Sequence, residues 1–162
     1  MPNWTSLIDA QHRWAHNNDG YQLVLNGAAE DAAISALADK LGITLPPDFC
    51  DFYRQHDGFG VRHTNDLETI YWSLVPLSMV PDLVQSARDW FQETHPELAQ
   101  TFYPFIDWSC GDYTGYIIGP DGTLKSGLFT FEHESYESEA DQTPDDFLHH
   151  TYHDIADFLS TQ

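Results

Sequence analysis

The chain has 162 residues, 41% of them hydrophobic and 14% aromatic, and 26 Asp and Glu against 6 Lys and Arg give it a formal net charge of −20. That length and apolar content suit a single domain, 1–162, with a sizeable core, and they argue against disorder. Such a charge repels phosphate backbones and anionic headgroups, so nucleic-acid and lipid-surface roles, which depend on clustered Lys and Arg, are excluded.

The opening MPNWTSLIDAQ has neither a basic stretch nor an apolar one, and no run approaches the roughly 20 apolar residues of a membrane span. The expectation is a cytoplasmic protein without a membrane partner. Cys50 and Cys110 cannot build a disulfide framework and belong to no CxxC pair; both are expected to be buried reduced thiols, with one disulfide as the alternative.

Trp4, Leu7, Ile8 and Trp14 keep a loose helical spacing, and Tyr21 to Leu25 read as a strand after the turn signal Asn17-Asn18-Asp19-Gly20. Glu30 to Leu41 is a clearer helix: Ile34, Leu37, Ala38 and Leu41 fall on one face, and Gly42 ends it. Pro46 and Pro47 break the chain and open a short helix to about residue 55, closed by the turn Asp57-Gly58-Phe59-Gly60. Residues 69–75 are rich in β-branched and aromatic side chains, a strand on propensity. Residues 78–94 read as a helix with Pro81 in its first turn. Three strands follow, at 102–108, 113–118 and 127–131, the last two joined by the turn Gly119-Pro120-Asp121-Gly122. Thr143-Pro144-Asp145-Asp146 looks like an N-cap, an N1 proline and an acidic first turn, predicting a terminal helix to about Leu159. The predicted class is α+β: a largely antiparallel sheet with N-terminal helices, a middle helix and a C-terminal helix packed on it.

On that terminal helix Phe147, Leu148, Tyr152, Ile155, Phe158 and Leu159 would share one face, with Asp146, His149, His150, His153 and Asp157 opposite. His149 and His153 have the i, i+4 spacing by which a helix offers two imidazoles to a metal, but HExxH is missing and no third ligand suggests itself. Asp107-Trp108-Ser109-Cys110-Gly111-Asp112 contains Ser and Cys without a nucleophile elbow or a papain-like surround. It reads as an inter-strand connection in which Gly111 supplies an unusual backbone angle and Asp112 bonds to local N–H groups. No catalytic residue, metal site or cofactor is expected.

Charge is the sharper signal. Residues 1–81 hold 10 acids and 4 bases, while residues 82–162 hold 16 and 2. Within the second half Glu132, Glu134, Glu137, Glu139, Asp141, Asp145 and Asp146 follow one another without a Lys or Arg. A net charge this far from zero costs self-repulsion that solubility alone does not require, which points to a basic partner. The expected contact residues are Glu132, Glu134, Tyr136, Glu137, Glu139 and Asp141, with His133 and Tyr136 adding stacking and hydrogen bonds.

Two stretches resemble the SUKH superfamily, which groups cell-wall assembly regulators of the SMI/KNR type with bacterial toxin-immunity proteins. One runs from Ile34 through Leu41-Gly42-Ile43-Thr44-Leu45-Pro46 and Phe49, Phe52 and Tyr53 to Asp57-Gly58, similar to the family's helix, LP break and second helix. The other is Ser109-Cys110-Gly111-Asp112 with the strand after it, similar to the family's S-x-G-D connection, although Asp107 stands where a glycine is usual and Trp108 where an aliphatic is. The resemblance implies an α+β domain that binds proteins without catalysis, in bacteria commonly by neutralising a toxin, often a nuclease. It agrees with the charge reading in pointing to a cytoplasmic immunity protein for a basic toxin domain. A regulatory adaptor for the cell's own proteins is the alternative, and a metal-dependent hydrolase built on His149 and His153 the more distant one.

Overall fold

The computed structural model describes residues 1–18 and 20–161. Asp19, in the turn expected at 17–20, lies outside the described residues. The chain divides into two compact units, residues 1–78 with 154–162 and residues 79–153. Both mix helices with antiparallel strands, as the predicted α+β class requires.

In the first unit, helix α1 (Trp4–Asn17) is capped by the Asn3 side chain, which accepts the Ser6 N–H at 3.1 Å. Strands β1 (Tyr21–Leu25), β2 (Phe59–His63) and β3 (Tyr71–Leu74) pair antiparallel in that order. Helices α2 (Asp31–Leu41) and α3 (Pro47–Tyr53) form where the apolar spacing and the proline at N1 place them. Phe49, Phe52 and Tyr53 of α3 are buried, and the Tyr53 hydroxyl donates to the Val75 carbonyl at 2.7 Å, so this large side chain enters the core with its polar end satisfied. Strand β2 begins inside the segment expected to be a turn. Gly60 belongs to it because the β2 and β3 backbones approach so closely that a Cβ there would lie 2.3 Å from the Tyr71 carbonyl oxygen.

A 3-10 turn at Leu77–Met79 crosses the boundary between the units in the chain and leads into α4 (Val80–Phe91) of the second. Its buried stripe Val80, Leu83, Val84, Ala87 and Phe91 has helical period and faces β4 (Phe102–Asp107). The short helix α5 (Pro96–Thr101), absent from the sequence reading, lies between them in the chain. Strands β4, β5 (Tyr113–Ile117), β6 (Leu128–Phe131) and β7 (Leu148–Tyr152) pair antiparallel in sequence order.

β7 corrects the expected long terminal helix. Thr143 to Asp146 makes only a 3-10 turn at Pro144–Asp146, and residues 148–152 then pair with β6, Phe131 opposite Leu148 and Thr130 opposite His149. The backbone turns helical only at α6 (Ile155–Ser160), where the Asp154 carboxylate accepts the Asp157 N–H at 2.8 Å. The apolar residues chosen for the helix face are still inside: Phe147, Leu148, Ile155, Phe158 and Leu159 are buried, and only Tyr152 is half-buried. The inside set was right and the element wrong, because a strand, a turn and a short helix can bury the same residues as one helix.

Candidate protein-binding surface

The acidic segment leaves β6 at Phe131 and returns to β7 at Leu148. Gln142 holds it. The Gln142 side chain accepts the Glu137 N–H at 2.8 Å and donates to the Ser135 carbonyl at 2.7 Å, while its backbone carbonyl accepts from His95 Nε2 at 2.8 Å. A backbone bond from Gln142 N to the Glu139 carbonyl closes the tip. Glu132, Glu134, Glu137, Glu139, Asp141, Asp145 and Asp146 are all exposed on this braced segment. Fixed carboxylates in a row sum to a local potential that a floppy tail would average away. Glu132 is the most engaged of them, with His149 Nε2 3.6 Å away.

Tyr136, one of the expected contact residues, lies mostly inside the fold. Its ring is 8% exposed and packs among Phe91, Phe131 and Phe147 at centroid distances of 5.5, 5.7 and 4.9 Å. Its hydroxyl donates to the Trp90 carbonyl at 2.9 Å and is hydrogen-bonded to Thr94. Tyr136 therefore anchors the acidic segment to the core and offers little surface to a partner.

Trp90, which the sequence did not single out, presents the aromatic surface. It is 39% exposed on α4 and touches the Tyr136 ring edge-on. Beside it lies a cleft of about 580 Å³ lined by Asp89, Trp90, Glu93, Tyr113, Tyr136 and Ser138. Asp89 and Glu93 are exposed, so α4 and the residues after it add carboxylates to the acidic segment. Helical spacing alone marks Trp90 as off the buried stripe; its place beside Tyr136 depends on the tertiary fold.

The imidazoles once placed on a helix are arranged otherwise. His149 lies in β7 opposite Thr130, His150 opposite Phe129, and His153 follows the strand, so the i, i+4 helical geometry does not exist. Both cysteines are free, Cys50 half-buried and Cys110 exposed, which removes the disulfide alternative and corrects the expected burial of Cys110.

The 107–112 connection is tied over a longer range than expected. The Asp107 carboxylate accepts the Ser109 N–H at 2.8 Å, and the Trp108 indole N–H donates to Thr114 Oγ1 at 2.9 Å. Asp112 Oδ1 accepts both the backbone N–H of His133 at 2.9 Å and its ring Nδ1–H at 2.7 Å. Its partner is thus 21 residues away, not a local amide. Burial pushes the Asp112 pKa up, yet these bonds from His133, its charge when protonated and the Cys110 thiol outweigh it and leave the carboxyl below its ordinary range.

The match to known families decides the broad class. Residues 28–160 match the SMI1 / KNR4 family (SUKH-1) model, which spans both units. The chain belongs to the SMI1 / KNR4 family. No curated protein matches it. SMI1 / KNR4 (SUKH-1) membership fits an immunity or regulatory protein; the family is generally non-catalytic and typically binds protein partners such as toxins. The S-x-G-D stretch of this SUKH chain is the connection that Asp112 ties to His133. Among the described residues no helix is long and apolar enough to cross a membrane.

Proposed function

We propose that the chain is a non-enzymatic, cytoplasmic immunity protein that occludes a basic toxin domain with the exposed carboxylates of residues 132–146 and the Trp90 cleft beside them. The observation that carries this reading is the bracing by Gln142, which turns a run of acids into an ordered surface. A nuclease active site must present Lys and Arg to phosphate, and an ordered acidic surface is its electrostatic complement. Glu132, Glu134, Glu137, Glu139 and Asp141 steer the encounter. Trp90 supplies the desolvated aromatic contact that long-range charge cannot.

The test is growth rescue against a basic toxin domain, sought first among the products of neighbouring genes. Wild type and His149→Ala/His153→Ala should rescue, whereas Glu137→Lys/Glu139→Lys/Asp141→Lys should fail while keeping a native circular dichroism spectrum and melting profile. Full rescue by the triple reversal would move the interface away from this segment.

A further inference from the structure

Cys110, Asp112 and His133 present a thiol sulfur, a carboxylate oxygen and an imidazole nitrogen that all lie within 4.8 Å of one another. Two separate segments meet here. Cys110 and Asp112 sit between β4 and β5, and His133 follows β6. The register explains the meeting: Tyr113 of β5 lies opposite Phe131 of β6, so the residue before one strand faces the residues after the other. Gly111 lets them close up, because a Cβ there would lie 3.0 Å from His133 Cγ and Nδ1, and its φ of +106° is one that side chains disfavour.

We propose that Cys110, Asp112 and His133 form a binding site for zinc, with a fourth position open to water. Bonds of about 2.0–2.3 Å to a tetrahedral ion place donor atoms about 3.5 Å apart, so side-chain rotation within the observed cluster suffices. Both existing His133 bonds fall on Asp112 Oδ1, and an ion replaces only the ring's share, since the backbone N–H continues to hold the carboxylate in place. On binding, the thiol loses its proton to solvent, and the His133 proton moves from Nδ1 to Nε2 by exchange with solvent, which frees the Nδ1 lone pair for the metal. Thiolate and imidazole donors favour zinc over magnesium or calcium, which require oxygen-rich sites. The site is reachable without unfolding, since Cys110 is exposed and the His133 and Asp112 side chains are 28% and 27% exposed. Exposed Glu132 and Glu134, the sequence neighbours of His133, add attraction for a cation. Three protein ligands with an open position differ from a closed structural site, and the proposal stands whether or not a toxin is the partner.

Cobalt titration of metal-free, reduced, full-length protein tests the site directly, because a thiolate ligand gives a near-ultraviolet charge-transfer band that imidazole and carboxylate do not. One equivalent of Co2+ should produce that band, and Zn2+ should displace it. Cys110→Ser should abolish the band, and Asp112→Asn and His133→Gln should each weaken binding about tenfold or more. Cys50→Ser and His149→Ala/His153→Ala should leave it unchanged. Since Asp112→Asn could also loosen the connection, Cys110→Ser is the deciding variant, its exposed side chain carrying little of the packing. Absence of a thiolate band, or zinc affinity and stoichiometry unchanged in Cys110→Ser, would overturn the proposal.

Discussion

His95 donates its Nε2–H to the backbone carbonyl of Gln142 across 2.8 Å, joining the residue that precedes α5 to the tip of the acidic segment. A carbonyl only accepts, so Nε2 must carry a proton. With the two side-chain bonds of Gln142, this contact makes the carboxylate row part of the folded unit.

Gln142→Ala removes both side-chain bonds, each worth about 0.5–1.5 kcal/mol, so it should destabilise the protein by about 1–3 kcal/mol. The larger effect should be local. Amide hydrogen exchange at residues 135–142 should rise many-fold with little change in β4 to β7. Unchanged exchange at these amides would mean that the bracing is dispensable.

Tyr136 separates a supporting role from a contact role. Tyr136→Ala should cost about 3–5 kcal/mol in urea unfolding, the usual range for a buried aromatic. Tyr136→Phe should lose about 1 kcal/mol through the Trp90 carbonyl while leaving partner affinity nearly unchanged. A large affinity loss in a stable Tyr136→Phe variant would return the residue to the interface.

The revised C-terminal segment makes a sharp contrast. Phe158, 1% exposed in α6, should cost about 3–5 kcal/mol on replacement by Ala, whereas exposed His153→Ala should change stability by less than about 0.5 kcal/mol. Paired urea melts decide it, and the reverse order would refute the burial assignment.

Asp48, in the first turn of α3, accepts the Ile155 N–H at 3.5 Å. Burial raises its pKa, the Ile155 and Phe49 N–H groups oppose this, the charge of Asp154 adds to it, and the net shift is upward from 3.8. The native state therefore holds this proton longer than the unfolded chain does. The cost of ionising it is absent below the unfolded value, grows as pH rises toward the folded value, and is complete at pH 7. Asp48→Asn should accordingly stabilise at pH 7, with the gain shrinking as pH falls toward 4. Urea midpoints at the two pH values measure this, and destabilisation at pH 7 would contradict the sign.

Much of the fold was legible because local chemistry agreed with tertiary need. Gly42 ends α2 with a φ of +69°, and Gly122 accepts the turn between β5 and β6 with a φ of +78°. What was illegible depended on pairing. The apolar set 147–159 fits a helix face and a strand–turn–helix equally well, and only the β6 register selects the second. Gly60 looked like punctuation because the Tyr71 backbone against it comes from another strand. The acidic row was plain in the sequence, but its bracing by Gln142 and His95 was not, since His95 lies 47 residues away. The Cys110, Asp112 and His133 grouping matched no familiar spacing, because it is made by the β5–β6 register.

The most direct test of the account is the association kinetics of the purified protein with a basic toxin domain of the proposed kind as ionic strength is varied. If the braced carboxylates steer a basic partner, raising salt from about 50 to 500 mM should slow the on-rate at least tenfold while the off-rate changes less. Glu137→Lys/Glu139→Lys/Asp141→Lys should slow it similarly and flatten the salt dependence, and Trp90→Ala should act mainly on the off-rate. Tight binding indifferent to both salt and the triple reversal would contradict the account.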